Sequence, residues 1–207
     1  MLKRFFDFCV SAVALVLLSP LLLFVAIVVR LSSPGPAIFA QQRIGRGFKP
    51  FFIYKFRSMK EDAPQLGGQI TYGDDPRITQ IGRHLRKTKI DELPQLFNVI
   101  RGDMSFVGPR PEVNRYVEMF RDDYAEILRV RPGITDLASL KFRDEAALLA
   151  TSSNPEEDYI RSVLPEKIRL AKKYIEESSF LLDLKIILKT MLSILIDQAA
   201  LTAKGLQ

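Results

Sequence analysis

The hydrophobic pattern of the chain is most pronounced near its N-terminus. Residues 8–29 carry no charge, and these 22 residues, at about 1.5 Å rise each, would just cross a hydrocarbon core of about 30 Å. Ser19 and Pro20 lie at the centre of this run, where proline removes a backbone donor and bends the helix. Basic residues such as Lys3 and Arg30 flank both ends, which favours one side of the membrane for both. Two interpretations stay open, a kinked single-pass helix and a helix that enters, breaks at Ser19-Pro20 and returns.

Strand and loop patterns follow this run. Two short apolar stretches are separated by the turn sequence RIGRG, residues 43–47, and together they predict a β-hairpin. Residues 61–76 are rich in Gly, Pro and acidic side chains and predict a polar loop.

A helical pattern returns over residues 93–100, where apolar residues repeat at i, i+3, i+4 and i+7. Pro94 is tolerated only in a first turn, so the helix is predicted to begin near Asp91, and Gly102 is placed to end it. Asp91 and Glu92 then stand at a helix N-terminus, where free N–H groups and the helix dipole favour anions. They are either N-terminal caps or, because they point about 100° apart, two groups with separate tasks.

The C-terminal part is predicted to be helical. One helix has Pro165 near its start, and a second follows with Ser178 or Ser179 as its cap. The second helix is apolar over most of its circumference, while charges such as Asp183 keep one side polar. We expect it to pack partly on the N-terminal helix and to lie partly in the membrane interface. The fold class is therefore α+β and mainly helical.

Charge narrows the function classes. The chain has 30 Lys and Arg against 24 Asp and Glu, a net charge of +6, which suits nucleic acid, an anionic membrane or phosphorylated substrates. A single cysteine excludes an internal disulfide and a cysteine-based zinc site, and neither a P-loop nor a dinucleotide fingerprint is present. A nucleic-acid binder leaves the apolar run unexplained, and a membrane-tethered scaffold leaves the acid pair unexplained. An aspartyl-phosphate phosphatase lacks its usual D-x-D pattern.

Cationic residues surround the two acids. Lys55 and Arg57 lie in an acid-free basic run, Arg86 lies just before the acids, and Arg110 is held between two prolines. Arg110 could bind phosphate bidentately or pair with an acid such as Asp103. Cations should lower both carboxylate pKa values and keep both acids ionised. An ionised aspartate can attack phosphorus if Arg, Lys and Mg²⁺ neutralise the developing charge.

Three blocks, residues 35–59, 77–111 and 131–135, resemble the bacterial sugar transferases, specifically the small monotopic polyprenyl-phosphate phosphoglycosyl transferases. The block DELPQLFNV followed by GDMSFVGPRP is the most specific. The resemblance implies a re-entrant membrane helix over residues 1–31, broken at Ser19-Pro20. It also implies a catalytic domain over residues 32–207 at the cytoplasmic face of the bacterial inner membrane.

The resemblance further implies a reaction. Asp91 attacks the β-phosphate of a UDP-sugar, releases UMP and holds the phosphosugar covalently until undecaprenyl phosphate accepts it, the first membrane step of a surface glycan or glycoprotein pathway. Glu92 is associated with Mg²⁺, and Lys55, Arg57 and Arg110 fall on positions expected to contact phosphates. UDP-sugar, undecaprenyl phosphate and membrane lipids are the expected partners, without nucleic acid, and a homodimer is left open.

The chain departs from the family pattern after Thr135. Many members continue with GWAQVNG, whereas residues 136–149 read DLASLKFRDEAALL. This departure bears on nucleotide and sugar recognition rather than on the phosphoryl chemistry, and the sequence does not identify the sugar.

Overall fold

The computed structural model describes residues 1–63, 66, 68, 70–73 and 75–204, with side chains as far as residue 196. Parts of the predicted polar loop 61–76 lie outside these residues. The helices are α1 Leu2–Ser32, α2 Gln80–Thr88, α3 Gln95–Arg101, α4 Asn114–Met119, α5 Arg121–Ile127, α6 Leu137–Lys141, α7 Glu145–Ala150, α8 Pro155–Asp158, α9 Leu164–Glu177 and α10 Phe180–Lys204, with a π-helical turn at Tyr159–Val163. The strands are β1 Ile38–Ile44, β2 Pro50–Phe56, β3 Ser105–Val107 and β4 Gly133–Thr135. The mainly helical α+β class is confirmed.

Helix α1 continues through the Ser19-Pro20 pair. Pro20 has no N–H to donate to the carbonyl of Val16, and the Ser19 hydroxyl donates to that carbonyl instead, at 2.7 Å. Within the described chain, α1 is the one helix long and apolar enough to cross a membrane. Helix α1 is helical on both sides of the pair and across it. This continuity does not distinguish a crossing helix from a re-entrant one, so the path of α1 through a membrane stays a prediction.

The N-terminal end of α1 is tied to the globular part by charged side chains. The Lys3 ammonium donates to the Val107 carbonyl at 2.8 Å and lies 2.8 Å from the Asp183 carboxylate. Asp7 is buried and accepts a hydrogen bond from the Ser105 hydroxyl at 2.8 Å. These contacts join α1 to β3 and α10 at once.

The other end of α1 is also tied to the same body. Val25 and Val29 are buried against Phe56 of β2 and Leu85 of α2. The buried guanidinium of Arg57 donates to the carbonyls of Val29, Ser33 and Pro36 at 3.1, 2.7 and 2.7 Å. Both ends of the apolar helix therefore contact one globular unit.

The predicted hairpin is confirmed. Strands β1 and β2 pair antiparallel, from Ile38 opposite Phe56 to Ile44 opposite Pro50. The other edge of β2 is satisfied by Asn98 of α3, whose amide accepts from Tyr54 N at 3.1 Å and donates to the Phe52 carbonyl at 2.7 Å. One side chain thus fixes α3 beside the hairpin.

Strands β3 and β4 pair in parallel, with Ser105 opposite Gly133 and Val107 opposite Thr135. The backbones approach so closely just beyond β3 that a Cβ on Gly133 would lie 2.2 Å from the nitrogen of Gly108. Glycine is required at this contact, since any side chain would clash with backbone. The loop after β3 is therefore held against β4.

The C-terminal helices close the fold. The Ser179 hydroxyl accepts from Leu182 N at 3.2 Å, which confirms Ser179 as a cap of α10. Ile186 of α10 is buried against Val107 and Tyr174, and Phe180 stacks edge-on against Phe6 of α1. Much of the rest of α10 exposes apolar side chains, among them Leu181, Leu188, Met191, Leu192, Leu195 and Ile196. The packing of α10 on α1 is confirmed, and its place in a membrane interface stays a prediction.

Candidate functional site

Asp91 and Glu92 lie in a single 3-10 turn, Ile90–Glu92, between α2 and α3. Lys89 adopts a left-handed conformation, φ 58°, which ends α2 and turns the chain. Helix α3 begins only at Gln95, so the predicted start near Asp91 is four residues too early. Pro94 occupies the position before the helix, where its missing N–H costs no hydrogen bond. The end predicted at Gly102 is confirmed, with φ 89°.

Glu92 is held by two cations. The Lys55 ammonium lies 2.8 Å from Glu92 Oε1, and the Arg110 guanidinium donates to both carboxylate oxygens, to Oε2 at 3.3 Å. Burial opposes ionisation of Glu92, but the charges of Arg110 and Lys55 outweigh it and hold its pKa well below the usual range. Arg110 is thus paired with Glu92, while Asp103 faces Arg101 at 3.7 Å.

Asp91 differs from Glu92 in its contacts and in the direction of its pKa shift. Its side chain is buried, and Oδ1 has no hydrogen-bond partner among the residues that the structure describes. Burial, followed by the neighbouring charge of Glu92, raises the pKa of Asp91 to about 6, although Lys55, Arg86 and Lys89 lower it. The expectation that cations lower both carboxylate pKa values is therefore wrong for Asp91, because desolvation exceeds their attraction. Near neutral pH, Asp91 is an ionised but poorly solvated carboxylate.

The other two predicted cations, Arg86 and Arg57, lie in different parts of the structure. Arg86 donates to the Ser58 hydroxyl at 2.9 Å and acts electrostatically on Asp91, so it belongs to the site. Arg57 does not join it, because its guanidinium is taken up by backbone carbonyls at the end of α1. The structure brings together Lys55, Arg86, Asp91, Glu92 and Arg110.

Two further buried polar residues were not predicted from the sequence, and one of them, Asp136, contacts the site. Asp136 is buried, with Oδ1 accepting from Ser139 N at 2.6 Å and Oδ2 from Arg110 N at 3.2 Å. An aspartate immediately before a helical run is an N-cap signal, but its contact with Arg110 is not readable from spacing. Gln95 is fully buried with both amide atoms unpaired in the described part of the chain.

The acids offer a limited set of metal ligands. No cluster of three His, Cys, Asp or Glu side chains occurs among the described residues. Mg²⁺ is often held by one or two carboxylates together with substrate phosphates and water. Asp91 Oδ1 is unpaired, and Glu92 Oε2 accepts one long hydrogen bond. Glu92 suits Mg²⁺ if phosphate oxygens of a substrate complete the coordination.

An apolar groove of about 610 Å³ lies beside the site, between α1, the hairpin and α3. Its lining includes Leu22 of α1 and Phe97 of α3, and it reaches Pro94, two residues beyond Glu92. Arg101 and Tyr54 supply its polar groups, with the Arg101 guanidinium 3.0 Å from the Tyr54 hydroxyl. Such a groove suits a hydrocarbon chain that ends in an anion.

A long exposed apolar helix, an apolar groove and an acid pair among cations are typical of proteins that act on phosphates at a membrane. The chain matches the family described as bacterial sugar transferase over residues 1–197 and belongs to that family. The resemblance of the three sequence blocks is thereby confirmed.

Named relatives have similar sequences over nearly the whole chain. An Aeromonas hydrophila UDP-N-acetylgalactosamine-undecaprenyl-phosphate N-acetylgalactosaminephosphotransferase is 40% identical, covering 94% of this chain and 44% of its own length. A Caulobacter vibrioides UDP-glucose:undecaprenyl-phosphate glucose-1-phosphate transferase is 41% identical, covering 93% and 69%. The exopolysaccharide production protein PSS of Rhizobium leguminosarum bv. phaseoli is 39% identical, covering 93% and 94%. The chain thus spans less than half of the Aeromonas protein.

Proposed function

We propose that the protein transfers a phosphosugar from a UDP-sugar to undecaprenyl phosphate and releases UMP through a covalent intermediate on Asp91. The observation that carries the proposal is the contrast between adjacent acids. Glu92 is paired with Lys55 and Arg110, whereas the buried Asp91 keeps an unpaired oxygen and a pKa of about 6. The relatives named as undecaprenyl-phosphate sugar phosphotransferases support both the donor and the acceptor.

In the first step, a carboxylate oxygen of Asp91 forms a bond to the β-phosphorus of the UDP-sugar. The bond from that phosphorus to the oxygen bridging it to the α-phosphate breaks, and UMP leaves with the bonding electrons. In the second step, a phosphate oxygen of undecaprenyl phosphate attacks the same phosphorus and the Asp91 carboxylate leaves. No proton transfer is needed, provided that Asp91 starts ionised.

Cations of the site stabilise the charge that moves during these steps. Lys55 and Arg86 act electrostatically on Asp91, and Lys55 and Arg110 are paired with Glu92, so positive charge lies around both acids. We assign Glu92 to Mg²⁺, which leaves the unpaired oxygen of Asp91 for the attack on phosphorus. Bound Mg²⁺ would supply neutralisation of the diphosphate charge.

Contacts of α1 support a re-entrant, monotopic placement at the cytoplasmic face of the inner membrane. A crossing helix separates its ends by about 30 Å of hydrocarbon. Here Lys3 and Asp7 near one end and Val29 near the other contact the same globular body. The exposed apolar face of α10 and the groove at Phe97 support contact with lipid, including the acceptor's hydrocarbon chain.

The decisive experiment separates the two half-reactions. Purified protein in lipid nanodiscs is incubated with Mg²⁺ and a panel of UDP-sugars, without acceptor, and UMP and intact protein mass are measured. We expect UMP stoichiometric with enzyme and a mass gain of one phosphosugar for the correct donor. Asp91→Asn should lose both, because a neutral amide is a far weaker nucleophile. Asp103→Asn, an acid paired only with Arg101 in the described contacts, is the matched control.

Two results would contradict the proposal in different ways. If UMP appears only when donor and undecaprenyl phosphate are both present, and no phosphosugar appears on protein, the lipid phosphate attacks directly. If vesicles with anionic lipid bind the protein but no UDP-sugar yields UMP in either format, the protein is a membrane-tethered scaffold without turnover.

A further inference from the structure

The segment that departs from the family pattern begins with a residue that contacts the site. Asp136 is 3% exposed, and each of its carboxylate oxygens accepts a backbone N–H. Oδ1 caps α6 through Ser139 N, and Oδ2 accepts from the N–H of Arg110. One carboxylate therefore joins the first helix of the divergent segment to the loop that carries a cation of the acid pair.

Hydrogen bonds from neighbouring elements hold the backbone of the loop around Arg110. Pro109 and Pro111 have no N–H, so the N–H of Arg110 is the one backbone donor in this three-residue stretch. The carbonyl of Pro109 accepts from Gly133 N at 3.0 Å, and the Arg110 N–H, on the other edge of the same peptide group, donates to Asp136. The peptide group that precedes Arg110 is thus held from both edges, and Asp136 supplies the side-chain partner.

The Arg110 side chain transmits that orientation to the acids. Its guanidinium donates to both oxygens of Glu92 and lies 3.4 Å from the Ile134 carbonyl of β4. A rigid guanidinium holds a carboxylate bidentately only if its main chain is fixed at the right distance. A shift at Asp136 therefore reaches Glu92 through one residue.

We infer that Asp136 is a positioning residue, which fixes Arg110 on Glu92 and couples α6, the start of the divergent segment, to the transfer reaction. This inference rests on the proposed function. We therefore expect changes in α6 to alter the rate of phosphosugar transfer. They would act indirectly, by moving Arg110, because α6 itself does not contact the reacting phosphorus.

The test uses two aspartates of the same segment. Asp136→Ser keeps an N-cap oxygen for Ser139 N but is too short, and has too few oxygens, to reach Arg110 N as well. Asp144→Ser is the matched control, because Asp144 caps α7 through Ala147 N at 3.0 Å and is exposed. We expect both variants to fold, with a lower thermal midpoint for Asp136→Ser because the Arg110 N–H loses its acceptor. UMP release in the donor half-reaction should be about tenfold slower only for Asp136→Ser.

A double-mutant cycle separates positioning from a general structural effect. In an Arg110→Ala background, Asp136→Ser should cause no further loss of rate, because the residue through which it acts is gone. Asp136→Asn, with one acceptor oxygen, gives a second variant if the serine protein does not fold. Equal rates for the Asp136 and Asp144 variants, or an undiminished loss in the Arg110→Ala background, would overturn the inference. Failure of the unmodified protein to release UMP would instead refute the proposed function.

Discussion

Asp91 should destabilise the folded protein at neutral pH, and replacing it with asparagine should make the protein more stable as well as inactive. Its pKa is about 6 in the fold against 3.8 for an unperturbed aspartate, because burial disfavours the charged form. A difference of about 2 pKa units corresponds to about 3 kcal/mol of folding free energy.

The cost in folding free energy of burying ionised Asp91 depends on pH. Above pH 6, Asp91 is ionised in both the folded and the unfolded state, and the full cost is present. As pH falls from 6 towards 3.8, the folded state takes up a proton first, so the cost declines to about 1 kcal/mol at pH 4.5. Asp91→Asn carries no charge at either pH and removes the cost.

Thermal unfolding in nanodiscs at pH 7.5 and pH 4.5 measures this effect. For a chain of 207 residues, 3 kcal/mol corresponds to a rise in Tm of roughly 6–12 °C, and the gain should shrink to about a third at the lower pH. Asp103→Asn should change Tm little at either pH, since its carboxylate is partly exposed. An asparagine variant that is no more stable than the parent at pH 7.5, or whose gain is independent of pH, would refute the assignment of a buried, poorly solvated carboxylate.

Three other outcomes follow from the same geometry. The donor half-reaction should lose activity as pH falls through about 6, and in Glu92→Gln this fall should move to lower pH, because a neighbouring negative charge no longer opposes ionisation of Asp91; a fall at the same pH in both proteins would count against the coupling. Turnover should vanish in chelator and return with Mg²⁺, whereas full turnover in chelator would show that Glu92 does not act by binding a metal. Cysteines placed at Met1 and Lys60 should be labelled from the same side of the membrane in intact cells. Labelling from opposite sides would support the single-pass helix instead.

Local sequence patterns predicted those elements whose signals are local. The β-hairpin follows from a glycine turn between two apolar stretches, and Ser179 caps α10 because the cap and its N–H partner are three residues apart. The start of α3 was misplaced because the left-handed Lys89 inserts a 3-10 turn, and lysine carries no sequence signal for that conformation.

Long-range contacts explain what the sequence did not predict. Arg57 belongs to a motif that is expected to contact phosphate, but its guanidinium partners lie up to 28 residues earlier, at the end of α1. The raised pKa of Asp91 depends on burial by packed elements, whereas the sequence displays only the cations around it. Asp7 lies beside an apolar run and finds its partner Ser105 only in the folded chain.

In the proposed reaction, the adjacency of two carboxylates lets cations surround the nucleophile without blocking it. If Lys55 and Arg110 were paired with Asp91, their hydrogen bonds would occupy its lone pairs and lower its nucleophilicity along with its pKa. Glu92 takes both cations, so their positive charge stays within reach of a bound diphosphate while an oxygen of Asp91 remains unpaired. The 3-10 turn supplies the geometry, since consecutive residues in it point in different directions. A single carboxylate among these cations would form a salt bridge with them. With two carboxylates, Glu92 forms the salt bridges and Asp91 is left for the proposed attack.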